Sequence, residues 1–388
     1  MNVPFVQLRE VVAGKTGTKN PTAAPDVEFT YVDVAGVDNE AKQISEPRVL
    51  LGADAPSRAR KLIRAGDVIV STIRPNLNAV AQVPDSLDSQ VASTGFCVLR
   101  PTDKVLSAYL FYFVRSSRFV ASLCGLVAGA LYPAVSDSQV LDQLIPLPPI
   151  ADQQRIVDFL SRAESIVRLR REAQQKAAEL VPAIYVTMFG DSTLNTKGWP
   201  VKMLIELTKF QSGGTPPKSR EDLWMGTLPW VSPKDMKVVE ISDSIDHVSD
   251  AVLRETNLKL VPVGSLLIVV RGMILVHTVP VAQTSVPVVI NQDMKALIPN
   301  SAVDSSYLLW ALKVQHARIL ALVDTAAHGT KKLDTSKIEA LEIPVPPIEM
   351  QRLFKRRADD VVSIVCQQAA ATVKAKATFD ALLSRAFS

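Results

Sequence analysis

The sequence contains few of the features that mark disulfide-rich or metal-binding proteins. Its three cysteines, Cys97, Cys124 and Cys366, are odd in number and far apart, whereas a disulfide framework or a zinc site needs paired spacing such as CxxC. We therefore expect reduced thiols that serve mainly as packing residues. The four histidines also lack metal-ligand spacing. They are His247, His277, His316 and His328.

Long apolar runs are missing as well. No stretch holds ~18 uninterrupted apolar residues, which a membrane-spanning helix needs. The opening residues, MNVPFVQLRE, lack the charged-then-apolar pattern of an export signal. We expect a cytoplasmic protein that makes no membrane contact.

A large excess of one charge is also missing. Lysine and arginine number 43 against 39 aspartates and glutamates, for a net charge of +4, and the excess is spread over both halves. A strongly basic chain would by itself indicate nucleic-acid binding. If this chain binds DNA, its positive charge must be local, or partner subunits must supply part of it.

Catalytic signatures are absent from the sequence. The FxGxG and (N/D)PP(Y/F) strings of a stand-alone DNA adenine methyltransferase do not occur, nor do GxSxG, HExxH, kinase or P-loop patterns. No pair of carboxylates has the setting of a catalytic pair. These absences argue against an enzyme and predict a chain without a catalytic centre.

What the sequence does contain is an internal repeat, with an offset of 198 residues from Ile145 to Ile343. IPLPPIADQQR at Ile145 matches IPVPPIEMQRL at Ile343. The same offset carries AGDVIVS to VGSLLIV, SAYL to SSYL, and Phe189 to Phe387. Four anchors at one offset indicate two copies of a unit of nearly 200 residues.

The first part of each copy mixes strand and helix signals. GDVIVSTI and GSLLIVVRG predict strands that are entered by a glycine turn. SAYLFYFVRSSRFVASL and SSYLLWALKVQHARILALV each predict a helix from their three- and four-residue apolar steps. This mixture indicates a compact α+β domain.

The second part of each copy predicts a helix of ~38 residues, or ~57 Å. Prolines lead into it, and an acid in its first turn suits the helix dipole. Apolar residues alternate three- and four-residue steps, as in a coiled coil. Pro182 predicts a kink or a stop in the first helix. Polar residues at matching levels, including Arg170, indicate either poor packing or a surface for other helices.

Several strings of the second copy resemble the target-recognition domain of type I restriction–modification specificity subunits. They are the Trp-led opening GWPVKM, the GGTP turn, PWVSPKDM, the strand–Arg–Gly segment, NQD and the Pro-Pro helix entry. The first copy keeps the same skeleton in GDVIVSTIRP, STGFCVLRP and IPLPPIADQQR but lacks GGTP and PWVSPKDM. The resemblance covers essentially the whole chain.

The resemblance implies an α+β fold class with two globular α/β target-recognition domains. Two long antiparallel coiled-coil helices would join them as a pseudo-two-fold internal repeat. The implied boundaries are residues 1–144 and 191–342 for the recognition domains and 145–190 and 343–388 for the spacer helices. Each domain would read one half of a split double-stranded DNA site.

The resemblance also implies partners. The helices would dock methyltransferase subunits, and a separate restriction subunit would join the complex. S-adenosylmethionine, ATP and Mg²⁺ would belong to those partner subunits, so no cofactor is expected in this chain. The docking candidates are Pro148, Pro149, Gln153, Arg170, Pro346, Pro347 and Gln351.

Candidate DNA contacts follow from residue type and position. Arg74, in STIRPN, and Arg271, in VVRGM, hold almost the same place in the two copies, and arginine at a strand end can fork onto guanine or clamp a phosphate. Trp230 is interpreted as a core residue. The remaining candidates are Asn76, Lys218, Arg220, Ser232, Lys234, Lys237, His328, Thr330, Lys331 and Lys332. An ordinary solvated surface remains the alternative for each.

Two other functions stay open at this stage. One is a stand-alone DNA methyltransferase-like enzyme, which would bind S-adenosylmethionine without partners. The other is a protein scaffold with two modules on a coiled coil, which the weak net charge permits. A scaffold would not show a salt-dependent loss of DNA affinity.

Overall fold

A computed structural model describes residues 3–127, 132–325 and 329–388. The chain forms two compact units. Unit 1 comprises Met1–Glu172 and Ala369–Ser388, and unit 2 comprises Ala173–Gln368. The boundaries of the units therefore fall inside the long helices and not between the two sequence copies.

Unit 1 is built on short strands in a four-stranded sheet of order β5-β2-β9-β6 and a three-stranded sheet of order β10-β7-β8. The pairs β1–β11 and β3–β4 complete it. Its strands are β1 Phe5–Gln7, β2 Glu28–Val32, β3 Val37–Asp38, β4 Gln43–Ile44, β5 Arg48–Leu51, β6 Ala59–Leu62, β7 Val68–Ser71, β8 Val80–Gln82, β9 Val91–Ser93, β10 Phe96–Leu99 and β11 Leu144–Pro146.

The helices that cover these sheets are α1 Ser107–Phe113, α2 Ser117–Gly125 and α3 Asp137–Leu141. The prediction of one continuous helix over SAYLFYFVRSSRFVASL is wrong. Ser116 has an extended backbone, and its side chain accepts a hydrogen bond from the Phe119 N–H as an N-cap. A serine N-cap favours a new helix start at this point.

Unit 2 has a five-stranded sheet of order β13-β20-β17-β18-β15, a three-stranded sheet of order β16-β14-β19, and the pairs β12–β23 and β21–β22. Its strands are β12 Val201–Met203, β13 Thr208–Ser212, β14 Leu228–Val231, β15 Glu240–Ile241, β16 Asp246–Val248, β17 Leu266–Val269, β18 Val281–Thr284, β19 Val289–Ile290, β20 Met294–Pro299, β21 Asp324–Thr325, β22 Lys331–Lys332 and β23 Glu342–Pro344.

The shorter helices of unit 2 are α6 Leu204–Leu207, α7 Val252–Glu255, α8 Ser305–Val314, α9 His316–Leu320 and α10 Thr335–Glu339. Here too a single predicted helix is split, since α8 ends before Gln315. Gln315 is buried and donates from Nε2 to the Glu342 carbonyl oxygen at 3.4 Å. The strands predicted in GDVIVSTI and GSLLIVVRG are confirmed as β7 and β17.

Glycine turns introduce both of these central strands. Gly66 has φ +82° and Gly264 has φ +81°. Glycine alone adopts this region without a Cβ penalty. The two turns end in strands with four consecutive buried residues each.

The long helices are α4 Ile150–Ala178, α5 Leu180–Phe189 and α11 Ile348–Ala386. The kink or stop expected from Pro182 is confirmed, because the first helix is interrupted at Glu179. Proline has no N–H to donate to the carbonyl four residues earlier. The second helix runs through 39 residues without interruption.

The far ends of the long helices complete two aromatic cores. In unit 1, Phe387 packs against Tyr109 with ring centroids 5.1 Å apart. In unit 2, Phe189 packs against Tyr307 with centroids 4.8 Å apart. Unit 1 therefore contains the last turns of α11, which begins in the second sequence copy. Unit 2 contains α5, which belongs to the first copy.

The predicted coiled-coil seam needs a correction at these far ends. Leu382 and Ala386 are only partly buried, whereas Leu383 and Phe387 are buried. The same one-residue shift occurs in α5, where Tyr185 and Phe189 are buried and Ile184 and Met188 are partly buried. The buried positions therefore do not follow a strict heptad repeat. A strict heptad drifts around a straight helix of 3.6 residues per turn, so it would stay buried only if the helices supercoiled.

The thiols differ in burial. Cys97 is buried, Cys124 is partly buried and Cys366 is exposed, and all three are free. Burial raises the pKa of the Cys97 thiol to about 12. The packing interpretation holds for Cys97 but is wrong for Cys366.

Candidate nucleic-acid interface

Arg271 lies at a strand end that backbone hydrogen bonds fix closely. The N–H groups of Val270 and Arg271 donate to the Asp293 carbonyl oxygen at 2.8 and 3.2 Å. Arg271 also forms an antiparallel backbone bridge with Lys332. Its side chain is exposed and makes no ion pair within the described part of the chain. A cation on a rigid strand end is therefore available to a ligand.

The NQD segment, Asn291–Asp293, joins this strand end to the PWVSPKDM loop. Strands β14 and β19 are parallel neighbours with Trp230 opposite Val289, so the loops that follow them leave the same edge of the sheet. The Asn291 N–H donates to the Val231 carbonyl oxygen at 2.9 Å. The Asn291 side chain accepts from the Asp293 N–H at 2.6 Å.

The GGTP turn packs against the same edge. A Cβ on Gly213 would lie 2.1 Å from the Ile290 carbonyl oxygen, so only glycine fits this close backbone approach. The Gly214 N–H donates to the Ile290 carbonyl oxygen at 2.9 Å. Thr215 Oγ1 is hydrogen-bonded to Gln292 Oε1. Four strings that are separate in sequence thus meet at one edge of unit 2.

The interpretation of Trp230 as a core residue is confirmed. Its side chain is buried, and Nε1–H donates to the Gly214 carbonyl oxygen at 3.0 Å. It also packs edge-to-face on Trp224 with centroids 5.1 Å apart. The indole holds the GGTP turn against β14 and is not free to stack on a base.

The PWVSPKDMK candidates separate into buried and exposed residues. Ser232 is buried, and both its N–H and its hydroxyl are bonded to Asp235 Oδ2 at 2.8 and 3.0 Å. The prediction of a DNA contact by Ser232 is therefore wrong, because its hydroxyl closes a local turn. Lys234 and Lys237 are exposed and stay candidates.

Arg220 and Lys218 follow the GGTP turn but differ in their surroundings. Arg220 donates to Asp222 at 2.8 and 2.6 Å and to Glu255 at 2.8 Å. These hydrogen bonds raise the pKa of Arg220 and lower that of Asp222. Its charge is thus already compensated, whereas Lys218 is exposed. Both stay predictions, with Lys218 the more available.

The predicted basic loop near residue 330 is partly engaged within unit 2. Lys331 Nζ donates to Thr325 Oγ1 at 2.7 Å, and Lys332 is paired with Asp334. The ion pair with Lys332 lowers the pKa of Asp334. Thr330 is half-buried, and His328 lies outside the described residues.

Unit 1 places Arg74 and Asn76 on the corresponding turn, and both are exposed. The Arg74 N–H donates to the Pro133 carbonyl oxygen at 2.8 Å, and the Gly272 N–H donates to the Lys331 carbonyl oxygen at 3.0 Å. These bonds are equivalent under the repeat. The structural counterpart of Arg74 is therefore Gly272, so the near-equivalence predicted for Arg74 and Arg271 is off by one residue.

The docking candidates at the helix entries need a correction. Gln153 is fully buried, with Oε1 accepting from the Leu106 N–H at 2.9 Å and Nε2 donating to the carbonyl oxygens of Lys104 and Pro148 at 3.0 and 2.9 Å. No surface of this amide is left for a partner, so its docking prediction is wrong. It anchors the start of α4 to the domain.

Gln351 repeats this arrangement at the start of α11. It is fully buried, accepts from the Asp304 N–H at 2.8 Å and donates to the Pro346 carbonyl oxygen at 2.8 Å. Pro148 and Pro346 are buried too, so the docking prediction is also wrong for these three residues. The exposed Pro149 and Pro347 and the half-buried Arg170 stay predictions.

Sequence reasoning did not select Gln292 or Ile73. Gln292 is exposed and is bonded to the GGTP threonine. Ile73 is 37% exposed and forms a backbone bridge with Ala134 in unit 1. The NQD string was a signal for Gln292. Ile73 had no signal of its own, since an isoleucine at a strand end reads as core.

The architecture agrees with the comparisons to known proteins. The family model described as the type I restriction modification DNA specificity domain matches this chain twice, over residues 13–179 and 196–363. The chain belongs to the type I restriction modification DNA specificity domain family. Both sequence copies thus carry one specificity domain each.

Relatives of known class support this family assignment. The chain is similar to the EcoR124I/EcoR124II type I specificity subunit of Escherichia coli, with 32% identity over 220 residues that cover 54% of each protein. It is 22% identical over 387 residues to the HindI specificity subunit of Haemophilus influenzae, covering 80% of this chain and 83% of that one. The chain therefore spans about half the length of the first relative.

A solved structure covers the whole chain. It comes from work on complex assembly and conformational transition of the type I R-M system, is 30% identical with a TM-score of 0.69, and the match covers 100% of this chain and 99% of that one. The resemblance to type I specificity subunits is confirmed. The two-domain specificity-subunit fold is confirmed as well.

The helices also bear on membrane contact. Within residues 3–127, 132–325 and 329–388, none is both long enough and apolar enough to span a bilayer.

Proposed function

We propose that this chain reads a bipartite double-stranded DNA site, with unit 1 bound to one half-site and unit 2 to the other. The observation that carries the proposal is the repeated strand end. In both units a central buried strand ends in an exposed turn held by equivalent backbone bonds. Two equivalent backbone arrangements that carry different side chains suit the reading of two different half-sites.

The electrostatics of unit 2 support local DNA contact despite the low net charge. Lys218, Lys234, Lys237 and Arg271 are exposed, and three of them have no ion-pair partner in the described ranges. Lys234 is 3.9 Å from an Asp246 carboxylate oxygen, a distance that gives little compensation at the surface. Lysines suit phosphates, and an arginine on a hydrogen-bonded strand end suits a base edge.

We further propose that α4 with α5 and α11 pair as antiparallel coiled-coil helices that set the unread gap. Supporting this, Leu160 and Val167 belong to the same core cluster of unit 1 as Phe379 and Leu383. In unit 2, the first-helix residues 181–189 share a core cluster with residues 354–361 of the second. A 39-residue helix is ~58 Å long, on the scale of half-sites ~34 Å apart or a multiple of it.

The remaining roles would belong to partner proteins. We propose that methyltransferase subunits dock on the long helices and that a restriction subunit joins them, as in a type I enzyme. S-adenosylmethionine, ATP and Mg²⁺ would bind those subunits. This chain would supply sequence recognition without a catalytic centre, consistent with the missing methyltransferase motifs in its sequence.

The test is to map methylated bases in the host genome with and without this gene, and in a host that expresses the chain with its methyltransferase subunit. We expect one split motif, with two defined halves and a fixed gap, that disappears when this gene is deleted. Methylation of a single undivided motif, or methylation that persists without the chain, would contradict the proposal.

Two binding measurements separate the other functions. The chain alone should not bind S-adenosylmethionine in calorimetry, whereas a stand-alone methyltransferase would. The reconstituted complex should lose DNA affinity steeply as salt rises, because phosphate contacts release counterions. A protein scaffold would show no such loss.

A further inference from the structure

The strand end of unit 1 presents an apolar side chain where the turn is exposed. The Thr72 N–H donates to the Gly95 carbonyl oxygen at 2.8 Å, and Ile73 forms a backbone bridge with Ala134. A Cβ on Gly95 would lie 3.2 Å from Ile73 Cδ1, so this side chain lies directly over the glycine. Ile73 is 37% exposed despite this support.

The strand end of unit 2 has the same backbone frame with charged side chains. The Val270 N–H donates to the Asp293 carbonyl oxygen at 2.8 Å, and Arg271 forms the backbone bridge with Lys332. Position 271 is thus the structural counterpart of Ile73. Asp293 stands where unit 1 has glycine.

The exposed side chains around this position are mixed in both units. In unit 1, Tyr132 is 84% exposed and immediately precedes the residue that bonds to the Arg74 N–H, and Leu77 on the same turn is 47% exposed. In unit 2, the exposed Gln292 is bonded to Thr215 beside the same strand end. Unit 1 also exposes Arg74 and Asn76 on this turn, and unit 2 also exposes Met273, so the contrast between an apolar and a cationic side chain holds at positions 73 and 271 themselves.

The major groove offers one apolar feature, the 5-methyl group of thymine, and one acceptor pair that fits a guanidinium, the O6 and N7 atoms of guanine. Building on the proposed function, we propose that Ile73 reads a thymine methyl group in the half-site of unit 1. The equivalent Arg271 reads guanine in the half-site of unit 2. The different side chains at the equivalent positions 73 and 271 would then distinguish the two half-sites.

The experiment uses the chain reconstituted with its methyltransferase subunit and duplexes of the mapped site. Each half-site is first assigned to a unit by photocrosslinking from p-benzoylphenylalanine placed at Asn76 in unit 1 or at Lys218 in unit 2. Each thymine is then replaced singly by uracil, which lacks only the methyl group. Each guanine is replaced singly by 7-deazaguanine, which lacks only N7.

For unit 1, we expect uracil at one position to weaken binding of the unchanged protein roughly fourfold, the equivalent of ~0.8 kcal/mol for one buried methyl group. Ile73→Ala should bind the thymine and uracil duplexes equally. Leu77→Ala, which removes a neighbouring exposed apolar side chain, should keep the difference. Uracil sensitivity that survives in Ile73→Ala, or a half-site without an A·T pair, would overturn the assignment of Ile73.

For unit 2, we expect 7-deazaguanine at one position to weaken binding about tenfold, and Arg271→Ala to abolish that difference. Arg254→Ala removes another exposed arginine of unit 2 and should leave it intact. A deazaguanine effect that persists in Arg271→Ala overturns the assignment of Arg271. If no duplex is bound specifically, the proposed function itself fails, which is a distinguishable result.

Discussion

At the scale of single residues, Lys234 and Arg271 are both exposed cations of unit 2 with different settings. The Lys234 side chain is 70% exposed, and its nearest carboxylate oxygen, on Asp246, is 3.9 Å away. Arg271 is fixed by backbone bonds to Asp293 and Lys332. An ammonium suits a phosphate as a point charge, whereas a guanidinium that starts from a fixed backbone suits bidentate contact with a base edge.

We predict that Lys234→Ala weakens cognate and non-cognate duplexes alike and reduces the slope of log affinity against log salt by about 1. Fluorescence anisotropy over a salt series measures both effects. Lys202→Ala, an exposed lysine on β12, is the control and should change neither. A loss confined to one base position would instead make Lys234 a base contact.

Lys42 is a residue whose charge opposes folding. Its Nζ donates to the Asn78 carbonyl oxygen at 2.6 Å, on the same side of unit 1 as Arg115 and Lys376. Burial, followed by the charge of Arg115, lowers the pKa of Lys42 from 10.5 to about 8. The folded state therefore binds fewer protons than the unfolded state between about pH 8 and 10.5.

The sign of this difference predicts a stability that rises with pH in that window. Lys42→Met should stabilise unit 1 at pH 7, and its advantage should shrink as pH rises above about 8 and approach zero above about pH 10.5. Urea unfolding at a series of pH values measures this difference. Lys15→Met, at an exposed position, serves as the control. An advantage that is constant with pH would mean that lost charge is not its cause.

At the scale of elements, the two copies differ in how the segment at the end of α1, or of its counterpart α8, contacts the long helices. In unit 1, the Arg115 side chain is 7% exposed and forms an ion pair with Glu164 of α4, and its guanidinium lies 5.3 Å from the Phe379 ring centroid. Tyr112 donates to Glu164 at 2.9 Å. The repeat places Val362 where unit 1 has Glu164, so unit 2 lacks this ion pair.

We predict that Glu164→Ala destabilises unit 1 by ~3 kcal/mol, because it leaves a buried guanidinium without its carboxylate. The repeat supplies a matched control in Val362→Ala, a truncation at an equivalent and 47% exposed position, which should cost less than ~1 kcal/mol. Chemical denaturation of the full chain measures both. Equal losses would show that Glu164 acts through packing and not through its charge.

Much of the element content could be predicted from the sequence, because it depends on local patterns. The glycine turns at Gly66 and Gly264, the strands that follow them and the break near Pro182 all have short-range causes. The split between α1 and α2 at Ser116 was missed, since apolar periodicity continues across it while one serine N-cap begins a new helix. The burial of Ser232 and Gln153 was missed because it depends on contacts distant in sequence.

At the scale of the whole molecule, unit 1 combines the two ends of the sequence, whereas unit 2 is one continuous stretch. Unit 1 takes Ala369–Ser388 from the end of α11, and unit 2 begins at Ala173 inside α4. The points where one unit gives way to the other, after Glu172 and after Gln368, therefore lie within helices. These two points are where the proposed spacer can be lengthened without changing either unit.

We predict that inserting seven helix-forming residues after Glu172 and seven after Gln368 lengthens the unread gap by about 3 base pairs. Two helical turns add ~10.5 Å, base pairs rise by ~3.4 Å, and seven residues keep the heptad phase. Methylome sequencing reads the result. Both half-sites should stay unchanged.

Two outcomes of this insertion would contradict the spacer proposal. One is a half-site with altered bases, and the other is an unchanged gap with methylation intact. Replacing the seven residues that precede each point with alanine, at constant length, is the control for changed helix composition. That variant should keep the original gap.

The repeat, the family resemblance and most strands and helices of each copy could be predicted from residue spacing and local pattern alone. Which residues share a site depended on tertiary contacts. The tertiary structure placed GGTP, NQD, the PWVSPKDM loop and Arg271 at one edge of unit 2. It also buried both helix-entry glutamines. These outcomes depend on pairing between distant segments, and that pairing leaves no periodic trace in the sequence.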